Sequence, residues 1–413
     1  MGNYGLLGKT LGHSYSPQLH AGLADYAYSL FEKTEAELPD FLRSGDFAGL
    51  NVTIPYKQTV IPYCAELSPE AEKIGSVNTL LRREDGSLYG DNTDAAGFRR
   101  MLARLGVSLT GKKALVLGSG GASKTVCAVL REQGAQSIVT ISRSGENNYG
   151  NLDRHADARV IVNATPVGMY PNVEASPVDL RLFQQCEAVL DLIYNPARTG
   201  LLLQAEALGI PCAGGLVMLT EQARRAAELF TGGEIPEERA ARVYRALAFE
   251  TENVALIGMP GCGKSSVGKV LAARLGRRFV DMDEEIAARA GMSIPDIFRA
   301  EGEAGFRARE TAVLRDFSAE RGLVIATGGG VVTRAENRPL LRRNSRTVWL
   351  SRPIGSLAKE GRPLSLSRPV EELAAERLPL YRAWADVQVE MADTSAETAE
   401  LVLRRLRGGE EEK

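Results

Sequence analysis

The sequence predicts an α/β protein that contains more than one domain. Short apolar runs of strand length, such as "KALVLG", "QSIVTIS" and "LVIAT", alternate with amphipathic stretches of helical length. This alternation is typical of parallel strands joined by helices. Two glycine-rich loops of different type, "GSGGAS" and "GMPGCGKS", each follow an apolar run. Because 413 residues exceed one ordinary core, we expect roughly two to three domains.

Composition excludes several classes of protein and partner. A hydrophobic content of 44% with 25% charged residues is typical of globular domains. The net charge of -2 argues against nucleic acid or a membrane surface as partner. No run approaches the roughly 18 apolar residues of a membrane helix, and we expect no signal peptide. Five scattered cysteines without C-x-x-C indicate a reducing cytoplasm rather than disulfides or zinc. Nothing in the sequence sets the oligomeric state.

The first glycine loop predicts a dinucleotide site. A tight turn lets a pyrophosphate approach the backbone at a helix N-terminus, and the residues predicted to form it are Gly118, Gly120, Gly121 and Ala122. The alternative is a purely structural turn, since Ser123 replaces the third glycine of G-x-G-x-x-G. The next apolar run ends at Arg143, with no acidic residue from Ser137 to Gly145. An acid would bind the ribose 2'-hydroxyl of NAD, so Arg143 favours NADP; a solvated surface arginine is the alternative.

Polar residues are dense before this loop. The fragments "GHSYSP", "NVTIPYK", "IGSVNT" and "GDNTD" contribute Ser14, Ser16, Asn51, Thr53, Lys57, Asn78, Thr93 and Asp94. Each fragment alone could be a capped turn or a polar loop. Together they suit a small substrate that carries hydroxyl and carboxylate groups. Hydride reduction of a ketone needs a proton donor, and a lysine positioned by an aspartate can supply the proton.

The second glycine loop matches G-x-x-x-x-G-K-[ST] and predicts a site for ATP. Its backbone amides would cradle the phosphates, its lysine would reach the β- and γ-phosphates, and its serine would bind Mg²⁺. The residues concerned are Gly258, Gly261, Gly263, Lys264, Ser265 and Ser266. Asp281 and Asp283 lie two apart at a predicted strand end and would face one side. We interpret them as one Mg²⁺-linked and one substrate-facing carboxylate; a solvated acidic cluster is the alternative.

Cations and a third glycine run follow in the last part of the chain. Phosphoryl transfer needs positive charge around the phosphate, and a small acid needs an arginine clamp. The predicted helices carry Phe298, Phe306, Arg307 and Glu310, the glycine turn spans Gly328 to Gly330, and Arg362 and Arg377 supply further cations.

Residues 1 to about 248 resemble the shikimate dehydrogenase family along their whole length. To the fragments above they add "NATPVGM", "DLIYNPARTG" and "GGLVMLTEQA". The resemblance implies the substrate 3-dehydroshikimate, the cofactor NADPH/NADP and a catalytic pair formed by Lys57 and Asp94. It also implies a carboxylate site at Ser14 and Ser16, ring-hydroxyl contacts from Thr53, Asn78, Asp94 and Gln222, Tyr194 near the carboxylate, and Gly215 and Met218 beside the nicotinamide.

The chain departs from the family pattern around the cofactor. Ser142 stands where the family usually has asparagine, and Pro166 stands where it usually has serine. Only twenty residues separate Arg143 from Asn163. This is too few for the helix and strand that the family has there, so we expect a reduced Rossmann-like sheet.

Residues 253 to 413 resemble the shikimate kinase family, a P-loop fold like that of nucleoside monophosphate kinases. The resemblance implies shikimate contacts at Asp283, Arg307, Gly329, Gly330 and Arg377. Asp283 would position or deprotonate the accepting hydroxyl, Lys264 would act on the phosphates, and Ser265 with Asp281 would hold Mg²⁺. Arg362 would come from a mobile lid onto the phosphates.

These interpretations divide the chain as follows. Residues 1–93 form a substrate domain completed by 216–248, residues 94–215 an NADP domain, 249–252 a short linker, and 253–413 the kinase domain. The two halves would catalyse successive steps on one metabolite. The alternatives are a quinate/shikimate dehydrogenase that uses NAD, fused to the kinase, and a regulatory protein with degenerate sites.

Overall fold

The computed structural model describes residues 3–12, 14–357 and 369–407. The chain divides into two compact units, Met1–Leu247 and Ala248–Lys413. Within the described ranges no helix is long and apolar enough to cross a membrane. Three separate sheets confirm the predicted α/β class.

The first sheet of unit one has six strands in the order β2-β1-β3-β5-β6-β4. Strand β1 pairs in parallel with β2 and β3, whereas β5 is antiparallel to both β3 and β6. The sheet is therefore mixed. Its strands are β1 (Tyr4–Gly8), β2 (Tyr28–Glu32), β3 (Gly49–Val52), β4 (Glu66–Leu67), β5 (Thr79–Arg82) and β6 (Leu88–Asp91).

The second sheet of unit one has five parallel strands in the order β11-β10-β9-β7-β8. They are β7 (Lys113–Leu117), β8 (Ser137–Ile141), β9 (Val160–Asn163), β10 (Ala188–Asp191) and β11 (Cys212–Gly214). Between β8 and β9 the only helical segment is a 3-10 turn, Leu152–His155. The predicted reduction of this sheet is therefore confirmed.

Side chains of this sheet alternate between two apolar cores. Ala114 and Val116 pack on one face, and Leu115 and Leu117 on the other, as the two-residue period of a strand requires. Helices cover both faces. The helices of unit one are α1 (Ser16–Leu23), α2 (Leu38–Ser44), α3 (Pro69–Ile74), α4 (Asp94–Leu105), α5 (Gly121–Glu132), α6 (Gly200–Ala207) and α7 (Leu216–Thr231).

The predicted linker at 249–252 is largely helical. Helix α8 runs over Glu237–Thr251 and so continues past the division between the two units after Leu247. The segment "ALAFET" contains no glycine or proline that would end the helix earlier. Most of the predicted linker therefore lies within α8, and the domain bounds stay predictions.

Unit two contains one parallel sheet in the order β13-β14-β12-β15-β16. Its strands are β12 (Asn253–Ile257), β13 (Arg278–Asp281), β14 (Leu323–Ala326), β15 (Ser345–Ser351) and β16 (Val387–Glu390). One continuous apolar cluster joins this sheet to the surrounding helices. These are α9 (Lys264–Leu275), α10 (Met282–Ala290), α11 (Ile294–Ala319), α12 (Asn337–Asn344), α13 (Val370–Trp384) and α14 (Ser395–Leu406).

Candidate active sites

A cavity of about 250 Å³ in unit one gathers most of the residues predicted for reduction. It is lined by strands of the first sheet, by loops that follow strands of the second sheet, and by helices. The predicted residues in its wall are Ser14, Ser16, Thr53, Lys57, Asn78, Asp94, Ala122, Tyr194, Gly215, Met218 and Gln222.

Lys57 and Asp94 form an ion pair in this cavity. Lys57 follows β3 by a short turn, and Asp94 is the first residue of α4. Lys57 Nζ lies 2.6 Å from Asp94 Oδ2, and the side chains are 21% and 8% exposed. The N-terminus of α4 favours the carboxylate charge. The pair is thus a charged lysine, open to the cavity, that a carboxylate holds in one orientation.

Two serine hydroxyls converge at the start of α1. Ser14 Oγ lies 3.1 Å from Ser16 Oγ and accepts a hydrogen bond from Ser16 N at 3.2 Å. Ser16 is also the first residue of α1, so the positive end of the helix lies beside both hydroxyls. The arrangement suits an anionic group such as a carboxylate.

Two amide side chains of the cavity wall come from distant parts of the chain. Asn78 Nδ2 donates to Gln222 Oε1 at 3.1 Å, and Asn78 Oδ1 accepts from Thr93 N at 2.7 Å. Asn78 therefore links α7 to the start of α4. The result is a fixed set of donors and acceptors for substrate hydroxyls.

The prediction gave no role to His20, which also lines the cavity. Its side chain is buried, stacks on Tyr28 with ring centroids 4.0 Å apart, and places Nδ1 2.5 Å from the Tyr26 hydroxyl. Burial lowers the pKa of His20 to about 3, although a hydrogen bond with Asn51 opposes this shift. His20 is neutral and structural here. His20 lies four residues after Ser16 and therefore on the same face of α1. This spacing is the feature of the sequence that could have placed His20 near the cavity.

The first glycine loop is shaped for a pyrophosphate. Gly118 has φ +102°, and a Cβ there would lie 2.9 Å from the Thr165 side chain. A Cβ on Gly120 or Gly121 would meet no atom within 4 Å, so open space adjoins the start of α5. The first turn of α5 carries no acidic residue, which leaves the helix N-terminus suited to an anion.

Arg143 lies outside the cavity, in the exposed loop after β8. Strand β8 is the neighbour of β7, which ends at the first glycine loop. Ser142 N donates to Asn147 O at 3.1 Å and closes a compact turn around Arg143. The residue is therefore on the same sheet edge as the glycine loop, with its side chain in solvent.

In unit two the second glycine loop has the backbone that its motif predicts. Gly258, Gly261 and Gly263 have φ of +147°, +81° and +99°, values that disfavour other residues. Lys264 Nζ donates to Gly258 O at 2.9 Å and to Met259 O at 3.0 Å. Two carbonyl oxygens of the loop therefore hold the ammonium group of Lys264. Ser265 and Ser266 follow in the first turn of α9.

Ser265 and Asp281 place two oxygen atoms together beside this loop. Ser265 Oγ donates to Asp281 Oδ2 at 2.5 Å. In the described residues no group of three or more His, Cys, Asp or Glu side chains could hold a metal. Mg²⁺ commonly takes one or two protein oxygens and completes its shell with water and phosphate. The pair fits that requirement.

One structural expectation about the acidic pair was wrong. Asp281 ends β13, but Asp283 lies in the first turn of α10 instead of on the strand. Asp281 caps this helix, since its Oδ1 accepts from Asp283 N at 3.0 Å. The two carboxylates are therefore related by a helix cap, and strand alternation does not place them.

In unit two a buried ion pair lies against the glycine turn that spans Gly328 to Gly330. Arg307 Nη1 lies 2.8 Å from Glu310 Oε2, with side chains 7% and 0% exposed. Burial raises the pKa of Glu310, and Arg307 opposes the shift. A Cβ on Gly330 would lie 2.0 Å from Arg307 Nη2, and one on Gly328 would lie 2.2 Å from Glu310 Oε1 and 3.3 Å from Asp283 Oδ1. The glycine run therefore lies directly against these charges.

Arg377 joins this cluster from α13. It is buried, and its Nη1 donates to Gly329 O at 3.3 Å. The Tyr381 hydroxyl, which the prediction missed, donates to the same oxygen. A Cβ on Gly329 would lie 2.6 Å from Pro260. Gly329 therefore lies against both Arg377 and Pro260, which belongs to the second glycine loop.

Two aromatic residues stack beside this cluster, and one predicted cation is not described. The Phe298 and Phe306 rings lie 4.7 Å apart. Arg362 lies outside the described residues.

A different family model matches each unit. A family model described as shikimate dehydrogenase substrate binding domain matches residues 6–80, and one described as shikimate kinase matches residues 260–407. A relative from Clostridium perfringens, shikimate dehydrogenase (NADP(+)), is 35% identical over 265 residues, which are 59% of this chain and 97% of the relative.

Solved structures of shikimate dehydrogenases are similar to the first part of the chain. A chorismate mutase/shikimate 5-dehydrogenase fusion protein from Clostridium acetobutylicum has a TM-score of 0.56 and 35% identity, covering 60% of this chain and 97% of that chain. Shikimate 5-dehydrogenase from Thermus thermophilus, in complex with NADP(H) and shikimate, has a TM-score of 0.55 and 34% identity, covering 60% and 99%. The chain therefore belongs to the shikimate dehydrogenase family, and residues 260–407 add a shikimate kinase domain.

Proposed function

We propose that the chain catalyses two consecutive steps on one metabolite. The first is NADPH-dependent reduction of 3-dehydroshikimate to shikimate, and the second is ATP-dependent phosphorylation of shikimate to shikimate 3-phosphate. The observation that carries the first step is the Lys57–Asp94 pair, 2.6 Å apart in a cavity with two serine and three amide side chains. The second rests on the contact of a P-loop with a buried arginine cluster.

In the reductase site, the chain's own residues bind the acid and supply a proton. Ser14 and Ser16 donate hydrogen bonds to the substrate carboxylate, and Asn78 and Gln222 orient the ring hydroxyls. Bound NADPH would supply the hydride. Lys57 Nζ, held by Asp94, donates a proton to the ketone oxygen as the C–H bond forms, so that the ketone becomes an alcohol. A positioned acid of this kind contributes roughly 10²- to 10⁴-fold in rate.

In the kinase site, positive charges hold both reacting partners. Arg307 and Arg377 clamp the shikimate carboxylate, and the glycine run lets the ring approach the backbone. The oxygen of the shikimate hydroxyl bonds to the γ-phosphorus of ATP, and ADP leaves. Asp283 accepts the proton that this hydroxyl loses. Lys264 exchanges its contacts with Gly258 and Met259 for the phosphate oxygens.

We further propose that Ser265 and Asp281 hold the Mg²⁺ that accompanies ATP. Asp281→Asn tests this role, because an amide oxygen can still accept the cap hydrogen bond from Asp283 N while the negative charge is lost. We expect the variant to need roughly tenfold more Mg²⁺ for half-maximal kinase rate, with an unchanged melting temperature. The reductase rate of the same sample is the control. An unchanged Mg²⁺ requirement would exclude Asp281 as a ligand.

The decisive assay follows NADPH oxidation and ADP formation in one sample. With 3-dehydroshikimate alone we expect NADPH oxidation without ADP. Addition of ATP and Mg²⁺ should then release one ADP for each shikimate formed. Oxidation without ADP would mean that the kinase domain is inactive or uses another acceptor.

A second arm tests the alternative cofactor and substrate. Arg143 lies in solvent beside the glycine loop, so we expect faster oxidation with NADPH than with NADH. Activity with quinate and NAD, and none with NADPH, would favour the quinate/shikimate dehydrogenase instead. The proposed compartment is the cytoplasm, since the five cysteines are scattered along the sequence and form no C-x-x-C motif.

A further inference from the structure

Asp191 is a buried carboxylate at the end of β10 that the proposed chemistry does not use. Its residue exposure is 0%. Among the described residues it forms no ion pair and accepts hydrogen bonds from neutral groups alone. Burial raises the pKa of Asp191 to about 6, although these hydrogen bonds oppose the shift. Burial of a carboxylate without a cation costs free energy. We therefore expect Asp191 to have a role in the structure that offsets this cost.

The carboxylate closes the base of one loop. Ile193 N donates to Asp191 Oδ1 at 3.0 Å, and Thr199 Oγ1 donates to Asp191 Oδ2 at 2.6 Å. Ile193 and Thr199 are the two ends of the segment 193–199, which we call the strap. Thr199 also caps α6. One side chain thus fixes both ends of the strap against rigid elements.

The same carboxylate fixes a second loop and the nicotinamide side of the cavity. Asn163 Nδ2 donates to Asp191 Oδ1 at 3.0 Å, and Asn163 Oδ1 holds Thr165 N at 3.0 Å. Gly215 N donates to Ile193 O at 2.9 Å. Gly215 is in the cavity wall. Displacement of Asp191 would therefore be transmitted to the cavity wall at Gly215 through the backbone of Ile193.

The strap carries Tyr194 into the substrate cavity. Tyr194 lines the cavity with Ser14 and Ser16, and its ring lies 5.7 Å from the ring of Tyr15 at 58°. Tyr15, the residue between the two serines, thus packs against Tyr194 next to one end of the strap. A shift of the strap changes the wall of the carboxylate site directly.

We propose that Asp191 is a positioning residue of the reductase site, which sets Tyr194 against the serine loop by holding both ends of the strap. The proposal rests on the reductase function proposed above. It predicts an effect on substrate binding that passes through Tyr194, with no effect on the kinase.

The test is a double-mutant cycle of Asp191→Ala and Tyr194→Phe in the full chain. We expect Asp191→Ala to lower kcat/KM for 3-dehydroshikimate by roughly 10- to 100-fold, mainly through KM, because misplacement by about 1 Å has effects of this size. In the Tyr194→Phe background, Asp191→Ala should lower kcat/KM by less than about a further threefold. The reason is that Asp191 acts through Tyr194, and the first substitution has already removed the effect of that side chain. Asp191→Asn should recover most of the loss, since an amide can accept from Ile193 and Asn163 and donate to Thr199.

The controls separate this proposal from folding and from the reductase function itself. The kinase rate of the same sample reports chain integrity, and Asp157→Asn changes an exposed carboxylate that pairs with Lys113 and should leave kcat/KM unchanged. Should Asp191→Ala fail to fold, Thr199→Val removes the Oδ2 partner, together with the side-chain cap of α6, and enters the same cycle. Independent losses at Asp191 and Tyr194, or a fall in kcat with unchanged KM, would overturn the proposal. A wild-type chain that does not reduce 3-dehydroshikimate would refute the reductase function instead.

Discussion

Replacement of His20 by phenylalanine is expected to make the first unit less sensitive to acid. His20 is 1% exposed and stacks on Tyr28, and burial lowers its pKa from 6.5 to about 3. The folded state therefore keeps His20 neutral at a pH at which the unfolded chain binds a proton. This difference removes stability as the pH falls from 6.5 towards about 3.

The size of the effect follows from the shift. Each pH unit between the two pKa values corresponds to about 1.4 kcal/mol, so acidification to pH 4.5 removes about 3 kcal/mol of stability through His20 alone. Phenylalanine keeps the ring stack but leaves the Tyr26 hydroxyl without this partner, at a cost of about 1–3 kcal/mol that does not depend on pH. The variant should be the less stable protein at pH 7 and should gain about 3 kcal/mol relative to wild type by pH 4.5.

The assay must distinguish the two units. Urea unfolding at pH 7 and pH 4.5 would be followed by pulsed hydrogen exchange and mass spectrometry on peptides that contain β1 and β7. Emission of Trp349 and Trp384, the only tryptophans, reports unit two and serves as the control. The gain is measured as a difference between variant and wild type, so the opposite contribution of Asp191, whose pKa is raised to about 6, cancels.

One result would refute the reasoning. If the difference between variant and wild type in free energy of unfolding stayed constant within about 0.5 kcal/mol from pH 7 to pH 4.5, His20 would not be held neutral by its environment. A matching shift in the tryptophan transition would show that the two units do not unfold independently.

Three further predictions concern the two sites. Lys57→Ala should lower the reductase rate by roughly 10²- to 10⁴-fold and leave the kinase intact, and Lys264→Ala should do the reverse; loss of both activities from either change would mean that the units depend on each other. Gly330→Ala should raise KM for shikimate by about tenfold or more in the kinase assay, because a Cβ would lie 2.0 Å from Arg307 Nη2 and the ion-paired guanidinium has little room to move; an unchanged KM would place shikimate elsewhere. Arg143→Ala should lower the ratio of NADPH to NADH efficiency by about tenfold, measured as two values of kcat/KM, and an unchanged ratio would show that Arg143 does not bind the 2'-phosphate.

The sequence by itself determined the features that depend on neighbouring residues. The motif "GMPGCGKS" required the positive φ of Gly258, Gly261 and Gly263, because glycine alone adopts that backbone freely. The short interval between Arg143 and Asn163 predicted a reduced sheet, and no α-helix lies between β8 and β9. Strand and helix order followed from hydrophobic periodicity, which is likewise local.

Local patterns were less reliable at the ends of elements. The linker was expected at residues 249–252, but α8 continues to Thr251. Asp283 was expected on a strand and lies in a helix that Asp281 caps. Both differences concern boundaries, where a shift of a few residues depends on a single capping hydrogen bond or on the packing of the last turn.

Only the tertiary structure decided which polar groups are buried and what they contact. Asn78 and Gln222 meet across 144 positions, and Asp191 collects partners from two loops and a helix N-terminus. His20 and Glu310 are ordinary residues in the sequence, yet the packed chain removes them from water and shifts their pKa values in opposite directions. Burial is the sum of contacts from distant segments, so a shift caused by desolvation appears once those segments have packed together.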